Sequence, residues 1–171
     1  PGRLLVVCGK GNNGGDGFVI ARAAAKDGWN VTVLLAEGES KTSDAIRNFE
    51  CLHSLPVHIC TDDSVLETQS FAAVVDALYG TGFHGELRPS GLATCGLIRH
   101  LHKGGAFVLA VDLPSGINTD TGEVADGAAH ADLTVTFDSY KPLHIAKISA
   151  PLCGKIVCAD IGIRDEWHPE F

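Results

Sequence analysis

The chain has 171 residues, 45% of them hydrophobic and 20% charged, with a formal net charge of -8. That size fits one domain with a substantial core, and the acidic balance argues against a nucleic-acid binder, whose footprint is a basic patch, while leaving room for a single nucleotide held by loop amides and helix ends. No apolar run approaches the roughly 20 residues that span a bilayer and no cleavable signal pattern stands at Pro1, so neither nucleic acid nor membrane is expected as a partner.

The sequence begins without Met a few residues before an apolar run, Leu4 to Val7, so further sequence is expected to precede it. That run reads as the first strand and gives way to Gly9-Lys10-Gly11-Asn12-Asn13-Gly14-Gly15-Asp16-Gly17, with a helix-like run from Phe18 to Lys26 behind it. Glycines 9, 11 and 14 satisfy G-x-G-x-x-G, which turns the chain tightly and aims helix N–H groups at an anion. The amides and Asp16 add side-chain donors and acceptors that dinucleotide loops mostly leave to backbone; the plainer alternative makes Asp16 a helix cap.

Further β-branched runs follow at Val31–Leu35, Val57–Cys60, Ala72–Val75, Phe107–Val111, Leu133–Phe137 and Lys155–Cys158, each reading as a strand buried on both faces. Between them, Ala45, Phe49 and Leu52, and then Leu92, Cys95, Ile98 and Leu101, recur at helical spacing. Ser43-Asp44 and Pro89-Ser90 mark helix starts, and Gly28 and Gly104-Gly105 mark stops. The alternation predicts right-handed βαβ units in one domain, a three-layer, Rossmann-like α/β fold with a mostly parallel central sheet and helices on both faces. Cysteines 8, 60 and 158 end apolar runs, no C-x-x-C occurs, and the histidines do not join the cysteines at zinc spacing. Free thiols in a cytoplasmic or organelle-matrix setting are expected.

In such sheets ligands bind beyond the carboxyl ends of strands. Besides the opening glycine segment, that rule selects Asp76 to Glu86, glycine-rich with an acid at its root, Asp112-Leu113-Pro114-Ser115-Gly116, and Asp138 to Pro142. Each has a bland alternative: turn chemistry for Gly80 to Glu86, loop capping for Asp76, a turn-bonding role for Asp112 and a solvated surface for Lys141. His84 and His144 lie near these loops, and no acid/base role is assigned to either.

GNNGGDG, VVDALYGTG, VDLPSG with NTDTG behind it, HADLTVTF followed by Lys141, and the closing Asp160-Ile161-Gly162-Ile163 occur in that order over nearly the whole chain. Together they resemble the NAD(P)H-hydrate epimerases, the YjeF N-terminal domain family. The helical segment that family members usually carry before the first strand is not found in residues 1–171. The resemblance implies epimerisation, at C6 of the nicotinamide ring, of the R and S hydrates of NADH and NADPH (NADHX and NADPHX), with a dehydratase specific for S, separate or fused, as functional partner; a homodimer is also allowed for. It further implies that Asn12, Asn13, Gly14, Gly15 and Asp16, the loop Gly80, Thr81, Gly82, Phe83, His84, Gly85 and Glu86, and Asp112 contact substrate. A potassium ion, one per subunit, would be held by Asn13, Asp76 and Ser115. Inverting a C6 hydroxyl requires its loss and return or ring opening, and either needs a proton donor and acceptor; Asp112 is expected to be that acid/base, with Lys141 orienting it or stabilising charge.

Two rival readings stand beside this one. Glu37, near the end of the second strand, is where a dinucleotide dehydrogenase would carry a ribose-binding acid, but the chain is short for a substrate domain as well. A non-catalytic nucleotide-binding scaffold of the same fold need not keep both Asp112 and Lys141.

Overall fold

The computed structural model describes residues 1–163. Seven strands, β1 (Arg3–Cys8), β2 (Asn30–Leu35), β3 (Val57–Cys60), β4 (Ala73–Ala77), β5 (Phe107–Val111), β6 (Leu133–Phe137) and β7 (Lys155–Ala159), form one sheet in the order β3-β2-β1-β4-β5-β6-β7. Every pairing in it is parallel, from Val31 opposite Val57 at one edge to Phe137 opposite Ala159 at the other. Parallel neighbours need crossovers, and the helices supply them.

Alternate residues of each strand face opposite layers. Leu4, Val6, Val31, Val33 and Val75 pack on one face with Phe18, Ala21 and Ala25 of helix α1 (Asn12–Lys26) and Ala45 of α2 (Ser43–Glu50). Leu5, Val7, Val74, Val108 and Ala110 pack on the other with Cys95, Ile98 and Leu101 of α3 (Pro89–Lys103). Burying a Phe or Leu of this kind contributes about 1.5–3 kcal/mol, so the two helical layers are held chiefly by these stripes. A third, smaller cluster of Leu113, Ile117, Leu143 and Cys153 seats the short helix α4 (Pro142–Ile145) under the loops that follow β5 and β6.

Helix α1 departs from expectation. Its helical conformation begins at Asn12, not at Phe18, so Asn12 to Gly17 are its first turns and not a loop. Asn and Gly are poor helix formers, and what overrides propensity is contact: a Cβ on Gly17 would lie 2.7 Å from Cys8 Sγ, and one on Gly15 would lie 3.1 Å from the Ala45 backbone. Only a helix stripped of side chains on that face can lie this close to the sheet and to α2. All six cysteines are free; burial pushes the Cys95 thiol up to about 12 and that of Cys153 to about 11, which leaves them inert as nucleophiles. Among the described residues no helix is long and apolar enough to cross a membrane.

Candidate active site

The chain runs outward from β1 through β2 to β3 and then returns to the other side of β1 as β4. Such a reversal opens a crevice beyond the strand ends. The turn after β1 and the loop after β4 are tied together in it: Gly9 N–H donates to the Ala77 carbonyl at 3.0 Å, and Asn13 Nδ2 donates to the Tyr79 carbonyl at 3.0 Å. A Cβ on Gly9 would lie 1.9 Å from the Leu78 carbonyl oxygen, and a Cβ on Gly14 would lie 1.9 Å from that of Gly9. These glycines permit close approach, and none of those at positions 9, 11, 14, 15 and 17 has a positive φ.

Helix α1 is capped by Gly11 without any side-chain cap bond, so Asp16 is not its cap. Gly15 N–H is accepted by the Gly11 carbonyl at 3.2 Å; ahead of it the N–H groups of Asn12, Asn13 and Gly14 have no helical acceptor and form an anion-binding end. Asp16 lies one turn into the helix. Solvent reaches it, yet partial desolvation and then the negative charge of Asp112 push its carboxyl above the ordinary range. The second cause puts both acids in one crevice.

Asp112 follows β5 directly and has φ 68, a left-handed conformation that costs a non-glycine residue about 1–3 kcal/mol and that Asp tolerates better than most. Its neighbours hold it there. Lys141 Nζ donates to Asp112 Oδ1 at 2.5 Å, to Thr136 Oγ1 at 2.6 Å and to the Phe137 carbonyl at 3.0 Å. Thr136 Oγ1 donates to the same Oδ1 at 2.7 Å, and Phe137 N–H reaches it at 3.4 Å. The hydrogen bonds given to this carboxylate among the described residues therefore converge on Oδ1. The Lys141 side chain is only 20% exposed and that of Asp112 12%, which removes the solvated-lysine alternative.

His144, buried on α4, clasps the pair from behind. Its Nδ1 accepts from Lys141 N–H at 2.9 Å, which puts the proton on Nε2, and Nε2 donates to the Asp112 carbonyl at 2.9 Å. Burial, with the Lys141 charge added, holds its pKa below the usual histidine range against the opposing pull of Asp112. Both ring nitrogens are occupied, so His144 is a positioning residue, in keeping with the absence of an assigned acid/base role.

Asp76 ends up fully buried near the end of β4. Its Oδ1 accepts from Ser115 Oγ at 2.6 Å and from Leu78 N–H at 3.3 Å, and its Oδ2 accepts from Ser115 N–H at 2.8 Å. Ser115 Oγ also accepts from Tyr79 N–H at 2.9 Å. Desolvation raises the Asp76 pKa, and the bonds from Ser115 and Leu78 oppose the rise. The loop-capping alternative is thus realised, with a buried carboxylate at its centre. Asn13 sits within reach of the same loops: its Oδ1 is 3.6 Å from the Cβ position of Gly80.

A cavity of about 510 Å³ opens beside the glycine turn, lined by Asn12, Asn13, Glu37, Tyr79, the loop from Gly80 to His84, and Glu86. Gly14 and Gly15 are instead buried in helix packing, and Gly85 turns at φ 76 beside a neighbouring depression. Within the loop, Phe83 N–H donates to the Gly80 carbonyl at 3.2 Å, and His84 Nδ1 lies 3.2 Å from Asn118 Nδ2, linking the loop to the segment after β5. Asp112 and Lys141 do not line this cavity; they stand on the β5–β6 side of the crevice. Thr136 and Tyr79 were not singled out from sequence. Thr136 reads as one more β-branched strand residue, and only its place beside Asp112, across the β5–β6 pairing, gives it a role.

The model for the YjeF-related protein N-terminus matches residues 2–143. The chain belongs to this family. Among YjeF relatives, the bifunctional NAD(P)H-hydrate repair enzyme Nnr of Coxiella burnetii is 37% identical over 167 residues, which cover 96% of this chain and 33% of that protein. Its namesake from Methanothermobacter thermautotrophicus is 40% identical over 173 residues, 95% of this chain and 32% of the relative. The NAD(P)H-hydrate epimerase of Limosilactobacillus fermentum is 35% identical over 166 residues, 92% of this chain and 74% of the relative. The crystal structure of yeast Ynu0 superposes with a TM-score of 0.68 at 25% identity, covering 86% of this chain and 63% of that one. This YjeF domain therefore spans about a third of the length of the bifunctional relatives it matches.

Proposed function

We propose that this domain is an isomerase of coenzyme repair that interconverts the R and S hydrates of NADH and NADPH at C6 of the nicotinamide ring. The observation that carries the reading is the Asp112–Lys141–Thr136 arrangement, in which the hydrogen bonds from protein fall on one carboxylate oxygen and Oδ2 is left to the substrate. The C6 carbon of the hydrate bears both a hydroxyl and the ring nitrogen. Asp112 takes the hydroxyl proton on Oδ2, the C6–O bond becomes a carbonyl, and the C6–N1 pair returns to nitrogen, which receives the proton back from Asp112. Rotation about C5–C6 and reclosure by the reverse steps deliver the opposite configuration. No electrons are gained or lost overall, which separates this reading from a dehydrogenase. Lys141 and Thr136 keep Oδ1 fixed throughout, and the free N–H groups of α1 receive the pyrophosphate.

The reading includes one potassium ion per subunit. Asp76 is buried, and it takes part in neither the His102–Asp132 nor the Lys141–Asp112 ion pair. Asn13 Nδ2 is spent on Tyr79, which leaves its Oδ1 to join Asp76 and Ser115 as hard oxygen donors. A bound cation would offset the buried charge and brace three loops. Potassium chloride should raise the thermal midpoint more than an equal concentration of tetramethylammonium chloride, and Asp76→Asn should abolish the difference; equal midpoints in the two salts reject the ion.

The deciding experiment supplies pure R-hydrate and follows the S form by chromatography, with a dehydratase specific for S as the expected consumer. Wild-type protein should produce S well above the spontaneous rate, and Asp112→Asn should lower kcat by about 10²–10⁴-fold. Wild-type protein that yields no S beyond the spontaneous rate defeats the reading in favour of a binding scaffold.

A further inference from the structure

The position of the reacting ring fixes where the rest of the substrate must lie, granted the epimerase reading. If C6 sits at Asp112 and Lys141, beyond β5 and β6, and the pyrophosphate sits on the first turn of α1, beyond β1, the adenosine half extends toward β2. A cavity stands beside that first turn, walled by the segment after β4 and reached from beyond β2 by Glu37. At about 510 Å³ it falls in the roughly 300–1,000 Å³ range of ligand pockets. Its walls suit a nucleoside: the Tyr79 and Phe83 rings lie stacked, with centroids 5.4 Å apart and planes at 27°, and present aromatic surface to a base.

Glu37 lies two residues past the end of β2 and is part of the lining of this cavity. Tyr79 hydroxyl donates to Glu37 Oε1 at 2.9 Å, and the ring of Tyr79 is pinned in turn, since its hydroxyl lies against Gly91, where a Cβ would approach to 2.4 Å. One carboxylate oxygen is thereby fixed, and no hydrogen bond among the described residues uses the other. In dinucleotide-binding sheets whose strand order begins as this one does, an acid at the end of the second strand accepts from the adenosine ribose 2′-hydroxyl. A 2′-phosphate at that point would place about two negative charges against the carboxylate.

We infer that this cavity binds the adenosine half of the substrate and that Glu37, held by Tyr79, reads the ribose 2′-hydroxyl, so that the domain prefers NADHX to NADPHX. The cations of the cavity are Lys10 and Arg88. Lys10 belongs to the glycine turn, beside the pyrophosphate, and Arg88 is exposed at the start of α3. Arg88 is the residue on which the opposite preference would rest.

Two measurements test this, one of them independent of turnover. Calorimetric titration with ADP-ribose and with its 2′-phosphate should show the first binding about tenfold or more tightly, and Glu37→Gln should bring the two within about threefold. Steady-state kinetics should show the same order in kcat/KM for NADHX against NADPHX, with Glu37→Gln acting mainly by lowering KM for NADPHX. Equal binding by wild-type protein, tighter binding of the 2′-phosphate, or an unchanged ratio in Glu37→Gln overturns the inference. Selective ADP-ribose binding without epimerisation of either hydrate defeats the catalytic reading and leaves the subsite standing; failure of both ADP-riboses to bind defeats the subsite outright.

Discussion

At the β5–β6 end of the crevice, Asp112, Thr136, Lys141 and His144 hold one another through short hydrogen bonds and are largely out of solvent. Toward β2 and β4, Thr81, Gly82, His84 and Glu86 are exposed around an open cavity. The first end resists displacement, because moving any one group leaves a buried partner unsatisfied, at a cost of about 1–3 kcal/mol each. The second can accept and release a large ligand without unmaking its own bonds. Rate should therefore respond to changes at the first end, and affinity to changes at the second.

The sharpest way to break that division is Asp112→Asn. Its loss of about 10²–10⁴-fold in kcat should leave ADP-ribose affinity, measured by calorimetry, within about threefold of wild type; a matching loss of affinity would mean that the two ends are not separable. Gly14→Ala comes next. Helix propensity alone predicts a gain of about 1 kcal/mol, but a Cβ at 1.9 Å from the Gly9 carbonyl oxygen forces the turn after β1 apart. The net result should be a loss of about 3 kcal/mol or more in denaturant unfolding, accompanied by weaker ADP-ribose binding.

Thr136→Val keeps the volume and removes the hydroxyl between Lys141 and Asp112. It should lower kcat by about ten- to a hundredfold, as expected for a hydrogen bond to a charged group, with KM nearly unchanged; a change confined to KM would assign Thr136 to binding. The smallest effect is a pH dependence. His144 titrates below its ordinary value in the folded chain, so between that ordinary value, about 6.5, and the lower folded one, the unfolded chain binds more protons. Its contribution to stability is complete above about pH 6.5 and is lost as pH falls through the folded value. Thermal midpoints recorded from pH 7.5 down to 5 should decline less steeply in His144→Asn than in wild type.

The inner strands β1, β2 and β4 were legible because both their faces are buried, so each reads as an unbroken apolar run; the edge strands β3 and β7 correct the expectation of burial on both faces, since neither has a second neighbour to cover it, no residue of either is buried and Val157 is exposed. Strand β4 begins one residue later than expected and includes Asp76. The start of α1 was not legible. Asn12 to Gly17 have the composition of a loop, and the contacts of Gly14, Gly15 and Gly17 that make them helical are tertiary. Spacing alone leaves Asp112 and Lys141 in separate loops at strand ends and only the family resemblance pairs them; their contact follows from the adjacency of β5 and β6, which spacing along the chain does not encode. The positioning role of His144 is not legible in the sequence, because both of its ring partners are backbone groups with no signature there. The short helix that carries it, only four residues long, lacks a periodicity to read.

The left-handed backbone at Asp112 bears on how the protein can be used. Asn is the side chain other than Asp that accepts such a φ most readily, so Asp112→Asn can keep the turn that a bulkier replacement would distort. On the epimerase reading proposed above, the outcome is a domain that grips a hydrated coenzyme without inverting it. Immobilised, that variant would serve as a capture reagent, withdrawing the damaged cofactor from a cell extract.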